Sequence, residues 1–165
     1  PGISADALPP IDIVLISHNH YDHLDLPALS QIFRHHQPHI VTPAGNAVHI
    51  RKADRRQDVD ELRWGGSIQS GPAKLTLTPA LHWSKRSLFD ANRALWGAFV
   101  IETPGGMIYF AGDTGYGDGR TFRDIRTRFG PPRLSLLPIG IALSHRRIDP
   151  ASFLVPDVGE TMSIP

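Results

Sequence analysis

Three imidazoles and two carboxylates fall within nine residues in the run Ser17-His18-Asn19-His20-Tyr21-Asp22-His23-Leu24-Asp25. Neutral imidazole and carboxylate are the donors that Zn²⁺ takes where thiolates are lacking, and the chain contains no cysteine. His18 and His20 stand two apart, so in an extended turn both rings point the same way and can chelate one ion. Asp22 and His23 follow at once and can face a second. The competing reading is a solvated histidine-rich loop that holds nothing. That reading suits a lone histidine better than four candidate donors in six residues. His82 lies just past the end of a strand pattern; alone it would be structural, but beside the first cluster it is the best candidate for a third imidazole. Asp113 lies between an apolar run and the glycine-rich stretch Gly115-Tyr116-Gly117-Asp118-Gly119, where by itself it could be only a turn former.

Each of these donors needs a firm element behind it. Ile11-Asp12-Ile13-Val14-Leu15-Ile16 is short and rich in β-branched residues, which predicts a buried strand. Asp25 before Leu26-Pro27-Ala28-Leu29 predicts a helix with Asp25 as N-cap and Pro27 in the first turn, running to about residue 34. The histidine cluster therefore sits on a tight strand-to-helix loop at the carboxyl end of a strand, where α/β sheets place ligands. Residues 39–42 predict a second short strand, and Pro43 precedes an expected helix over residues 44–52. His35, His36, His39 and His49 lack ligand spacing and read as surface or helix-end residues. Residues 51–61 read as a charged, solvated face, and residues 62–67 as a turn. Lys74-Leu75-Thr76-Leu77-Thr78 alternates with period two and predicts a half-buried strand leading to His82. Residues 95–102 and 107–112 flank Thr103-Pro104-Gly105-Gly106 as a β-hairpin. Residues 121–129 predict a short amphipathic helix stopped by Gly130, and residues 134–140 a last strand.

His18-Asn19-His20-Tyr21-Asp22-His23 fits the HxHxDH signature of the metallo-β-lactamase superfamily. The longer string from Ile16 to Asp25 resembles the branch containing N-acylphosphatidylethanolamine-hydrolysing phospholipase D and its bacterial relatives. Pro79-Ala80-Leu81-His82-Trp83 is similar to that branch's PxxHW, Gly112-Asp113-Thr114-Gly115 to its second diagnostic motif, and Leu137-Pro138-Ile139-Gly140 to its LPIG segment. The resemblance implies an α/β (α+β) fold of the αββα sandwich type. It implies one Zn²⁺ on His18, His20 and His82 and another on Asp22, His23 and Asp113, with Asp113 shared. Such ions lie ~3.5–4 Å apart and activate a water between them. Asp22 then doubles as ligand and proton acceptor, the expected catalytic residue. The implied reaction is hydrolysis of a phosphodiester, narrowed by the branch to N-acylphosphatidylethanolamine.

The resemblance covers residues 1 to about 140 of a single expected domain of 165 residues, leaving 141–165 as a divergent tail. No histidine follows His145, so the second metal site is expected to lack a ligand unless His145 supplies it. The strands that precede this region in the family are missing before Pro1. The sandwich is thus expected to be incomplete at both ends, of low activity, and marginally stable or self-associating through an uncovered sheet edge. Composition is ordinary, with 41% hydrophobic and 20% charged residues, and a net charge of +1 gives no pull toward nucleic acid. No run approaches the ~20 apolar residues of a membrane span, and no signal-peptide pattern opens the chain. The expected setting is cytoplasmic or peripheral to a membrane, the expected partner a phospholipid or other phosphodiester. A lactonase-type hydrolase of the same fold and a metal-binding but inert remnant are the alternatives. Trp83, Leu88, Phe89 and Trp96 could meet acyl chains, although core packing is the simpler reading.

Overall fold

The computed structural model describes residues 3–138. A 3-10 turn (Ala5–Ala7) precedes β1 (Ile13–Leu15), α1 (Leu26–His35), β2 (His39–Pro43), the single-turn α2 (Ala47–Ile50) and β3 (Val59–Leu62). Then come β4 (Ser67–Ser70), β5 (Ala73–Thr78), β6 (Ala98–Thr103), β7 (Gly106–Phe110), α3 (Arg120–Phe129) and β8 (Leu134–Leu136). β1, β2 and β3 form one parallel sheet in that order. β4 to β7 form a second, antiparallel sheet, with β8 added in parallel beside β7.

Successive strand side chains point to opposite faces, and here both faces are covered. In β2, Ile40 joins Ile16, Leu24, Leu29 and Ile50 on the side of α1, while its neighbour Val41 joins Leu75, Leu77 and Phe99 between the sheets. In the second sheet, Phe99, Ile101 and Phe110 face that inter-sheet core, whereas Ala98, Val100, Met107 and Tyr109 pack with Ile125 of α3. The layers run helix, sheet, sheet, helix, the expected αββα sandwich. Among the described residues, β1 is paired on one side only, to β2.

The capping signals act as read. The Asp25 carboxylate accepts from Ala28 N at 3.0 Å, and Pro27 lies in the first turn of α1. His35, in the last turn, reaches Asp6 at 2.9 Å. α3 stops at Gly130, whose φ of 85° suits only glycine comfortably.

Several expectations are corrected. The stretch 51–61, expected as a solvated face, enters β3, an edge strand whose polar side chains are used rather than solvated. Asp60 accepts from the His39 ring at 2.8 Å, and Glu61 Oε1 accepts from Gly45 N and Ala47 N, both at 2.8 Å, closing the start of α2. His39 is therefore no surface residue. Its ring is half-buried and also meets Ser70 Oγ at 2.8 Å, tying the two sheets together. β4 carries one large apolar residue, Ile68, too few to show a period. The helix expected over 44–52 shrinks to one turn because Gly45 takes a φ of 94° and the Asn46 amide donates to Pro43 O and Leu95 O at 2.7 and 3.1 Å. β5 is buried on both faces over Leu75, Thr76, Leu77 and Thr78, not half-buried; Lys74 alone stays exposed, 3.1 Å from Glu102 across the ladder. β6 begins at Ala98 rather than 95, since Trp96 and Gly97 are spent on the site loops described next. The last strand ends at Leu136, and Ile139, Gly140 and His145 lie outside the described residues.

Candidate metal centre

Three loops meet at one end of the sandwich. The first leaves β1: Leu24 N and His23 N both donate to His20 O, at 2.8 and 3.1 Å, and the fully buried Leu24 side chain anchors the turn beneath α1. The second follows β5 and carries His82. It is tied to the third, which follows β7 and carries Asp113, by Leu81 N donating to Thr114 Oγ1 at 3.0 Å and Gly115 N donating to Leu81 O at 2.9 Å. The segment before β6 clamps the other side, with the Trp96 ring N–H on Ala80 O at 3.0 Å and Gly97 N on Ser17 O at 2.9 Å.

A further clasp comes from Arg86. One guanidinium nitrogen donates to Asn19 O at 3.0 Å and Leu24 O at 2.7 Å, and the group stacks 4.4 Å from the Tyr21 ring centroid. Tyr21 Oη returns a hydrogen bond to Arg86 O at 2.9 Å. The turn bearing Arg86 is itself pinned by Asp90, which accepts from Arg86 N and Ser87 N at 2.9 and 2.7 Å. Those N–H groups hold the Asp90 carboxyl below its usual range. Arg86, Gly97 and Thr114 were not legible as site residues, because each acts through the backbone of a loop distant in sequence.

These loops bring the sequence-predicted donors together. His18 Nε2 lies 2.9 Å from His20 Nδ1, which lies 3.2 Å from His82 Nε2. Nitrogens held tetrahedrally at Zn–N distances of 2.0–2.1 Å stand about 3.3 Å apart. His23 Nε2 is 3.1 Å from Asp113 Oδ2, and His82 Nε2 is 4.0 Å from the same oxygen. Two trios of donor atoms result, His18, His20 and His82, and His18, His23 and Asp113, each within 4.8 Å of one another. His18 belongs to both. Asp22, expected to complete the second trio, stands just outside it, 3.6 Å from His23 Nε2 with its side chain 79% exposed. A shallow cavity of about 230 Å³ opens over the cluster, lined by His82, Asp113, Thr114, Gly115 and Pro138.

The electrostatics favour lone pairs over protons. Burial, then the neighbouring His23, His82 and His20, pull His18 down to about 3 against the opposing Asp22. His82 is also held below the ordinary imidazole value, chiefly by burial and next by His20. The donor set fits a divalent cation. One ring nitrogen, His20 Nδ1, faces two others and can donate to only one of them, while His20 Nε2 is buried with no partner among the described residues.

Three of the apolar residues considered for acyl contact are not core. Leu88 is 81% and Phe89 85% exposed, and Trp83 is exposed with its ring 4.5 Å from that of His20. Trp96 is half-buried, as its bond to Ala80 requires.

Four layers with a histidine–aspartate cluster at the strand tips define a metal-centre domain of the lactamase type. A profile of the Beta-lactamase superfamily domain matches residues 1–163, and the chain belongs to the metallo-β-lactamase superfamily. An uncharacterized protein of Mycobacterium tuberculosis is 38% identical over 141 residues, covering 85% of this chain and 37% of that protein. The mitochondrial N-acyl-phosphatidylethanolamine-hydrolyzing phospholipase D of Saccharomyces cerevisiae is 40% identical over 139 residues, covering 81% of this chain and 29% of the enzyme. Among solved structures, CmlA, a diiron beta-hydroxylase from Streptomyces venezuelae, superposes with a TM-score of 0.62 at 22% identity, over 79% of this chain and 26% of CmlA. The chain thus spans well under half the length of these relatives.

Proposed function

We propose that this chain is a zinc-dependent phosphodiester hydrolase whose substrate is a phospholipid of the N-acyl-phosphatidylethanolamine type. The observation that carries the reading is the convergence of the His18, His20 and His82 nitrogens beside the His23–Asp113 pair. An all-nitrogen-and-oxygen donor set suits Zn²⁺. One ion would rest on His18, His20 and His82, the other on His23 and Asp113, which Asp22 would join by turning in from its place just outside that pair. When bound, such a pair supplies Lewis-acid stabilisation of phosphoryl oxygens and acidifies a water. The substrate class is supported by the yeast relative's activity and by the details shared with its branch, Tyr21, Leu24-Asp25, His82-Trp83 and the start of the LPIG segment.

The chain's own residues divide the work. His18 stays neutral and keeps its lone pair available. Asp22, solvent-facing beside His23, takes the proton released by the attacking water and passes it to bulk solvent. The exposed Trp83, Leu88 and Phe89 would offer apolar contact to acyl chains. No helix among the described residues is long and apolar enough to cross a membrane.

Metal analysis with a substrate panel tests this. The purified chain should take up zinc and cleave N-acyl-phosphatidylethanolamine in mixed micelles in preference to a lactone. Asp22→Asn should keep the His18–His20–His82 ion and lose about 10²–10⁴-fold in turnover. A chain that gains no zinc on addition, or that prefers the lactone, overturns the assignment.

A further inference from the structure

We propose that Ser17 is the positioning residue of the centre: its hydroxyl oxygen accepts the Nδ1–H of His18 and so turns the Nε2 lone pair toward the metal. Its Cβ seats the loop that carries Asp113. The proposal rests on the metal-centre reading above and names the residue that makes that centre ready to bind.

His18 is the one donor common to both trios, and it is 1% exposed. A neutral imidazole has one N–H and one lone pair, and the hydrogen bond made by one nitrogen decides which role the other plays. His18 Nδ1 has Ser17 Oγ at 3.0 Å. His18 Nε2 has His20 Nδ1 at 2.9 Å, on the side where the donors meet. With the proton on Nδ1, His18 Nε2 accepts from His20 Nδ1–H in the metal-free chain and is ready to ligate. With the proton on Nε2, the residue shared by both trios is blocked.

Ser17 cannot drift from this place. Its carbonyl accepts from Gly97 N at 2.9 Å. On its other side lies Gly112, with a φ of +56°, where an added Cβ would stand 2.7 Å from Ser17 Cβ and 2.9 Å from Ser17 Oγ. Only glycine fits there, and the next residue is Asp113. Ser17 thus touches His18 directly and Asp113 through one neighbour, Gly112.

Ser17→Ala separates the two roles, because it deletes the hydroxyl and keeps the Cβ against Gly112. Ring-nitrogen NMR on the metal-free chain reads the His18 tautomer, and competition against a chromogenic chelator reads zinc affinity. The expected wild-type signal is Nδ1–H. In Ser17→Ala the tautomer should shift toward Nε2–H and zinc affinity should fall about 10–100-fold, the usual cost of losing an outer-shell partner. Thermal unfolding should stay close to wild type. Wild-type His18 carrying its proton on Nε2 overturns the proposal without any variant, and so does Ser17→Ala with unchanged tautomer and affinity. A wild-type chain that takes no zinc would instead remove the metal-centre reading, and the tautomer measurement would still decide the role of Ser17.

Discussion

Replacing Arg86 by alanine withdraws the guanidinium that donates to Asn19 O at 3.0 Å and Leu24 O at 2.7 Å, the two ends of the histidine turn. Hydrogen bonds to a charged group contribute ~1.5–3 kcal/mol each. Here one nitrogen makes both, so they do not add fully, and the stacking on Tyr21 contributes ~0.5–1 kcal/mol more. The expected loss is about 2–4 kcal/mol. With a urea slope of roughly 2 kcal/mol per molar for a domain of this size, the unfolding midpoint should fall by about 1–2 M. Arg86→Lys keeps a charged nitrogen that can donate to both carbonyls but loses the planar group stacked on Tyr21, and should recover only part of the loss. Urea unfolding followed by tryptophan fluorescence gives the global term. Amide exchange at His23 and Leu24, whose N–H groups both rest on His20 O, gives the local one and should accelerate. If Arg86→Ala leaves the midpoint and the Leu24 amide protection at wild-type values, the turn is held by Leu24 burial alone and the clasp is incidental.

Two other perturbations follow from the same fold. Tyr109 is buried, its hydroxyl has no partner among the described residues, and burial pushes it up to about 12 from 10. Between those values the unfolded chain has shed a proton that the folded chain retains, so stability should fall as pH rises through the window. Tyr109→Phe should flatten that slope in urea midpoints taken stepwise across it; an equal decline in the variant refutes the assignment. Leu88→Ser with Phe89→Ser should lower hydrolysis of vesicle-embedded phospholipid several-fold while leaving a soluble phosphodiester untouched, since both side chains are exposed and lie outside the packed cores; equal loss on both substrates contradicts a role in lipid contact.

The sequence carried the layers and the donors unevenly. Ile40 and Val41 point to different cores, an alternation visible in the chain because apolar residues on both faces leave a continuous apolar run. Asp25, Pro27 and Gly130 announced helix ends through local chemistry that needs no distant partner. The histidine loop was legible because four of its donors are near neighbours; His82 was a candidate from its place past a strand end beside that cluster, and Asp113 stood out from a turn former only through a motif similar to a known family's. β3 and β4 escaped because edge strands spend polar side chains on partners far away: Asp60 on His39, Glu61 on the start of α2. Arg86 and Ser17 escaped for the same reason. An arginine that grips carbonyls and a serine that orients a ring leave no periodicity, and only the closed geometry shows what they touch.

The donors do not come from one sheet. His18, His20 and His23 hang from β1 in the parallel sheet, whereas His82 and Asp113 hang from β5 and β7 in the antiparallel one. An ion gripped by both groups is a rivet through the join, present only while the two halves of the sandwich are pressed together. At a hundredfold excess over its dissociation constant such a rivet adds about 2.7 kcal/mol to the closed form. Loading and architectural integrity are then one equilibrium seen from two ends: a substitution deep between the sheets, far from any donor, loosens the grip on the ion.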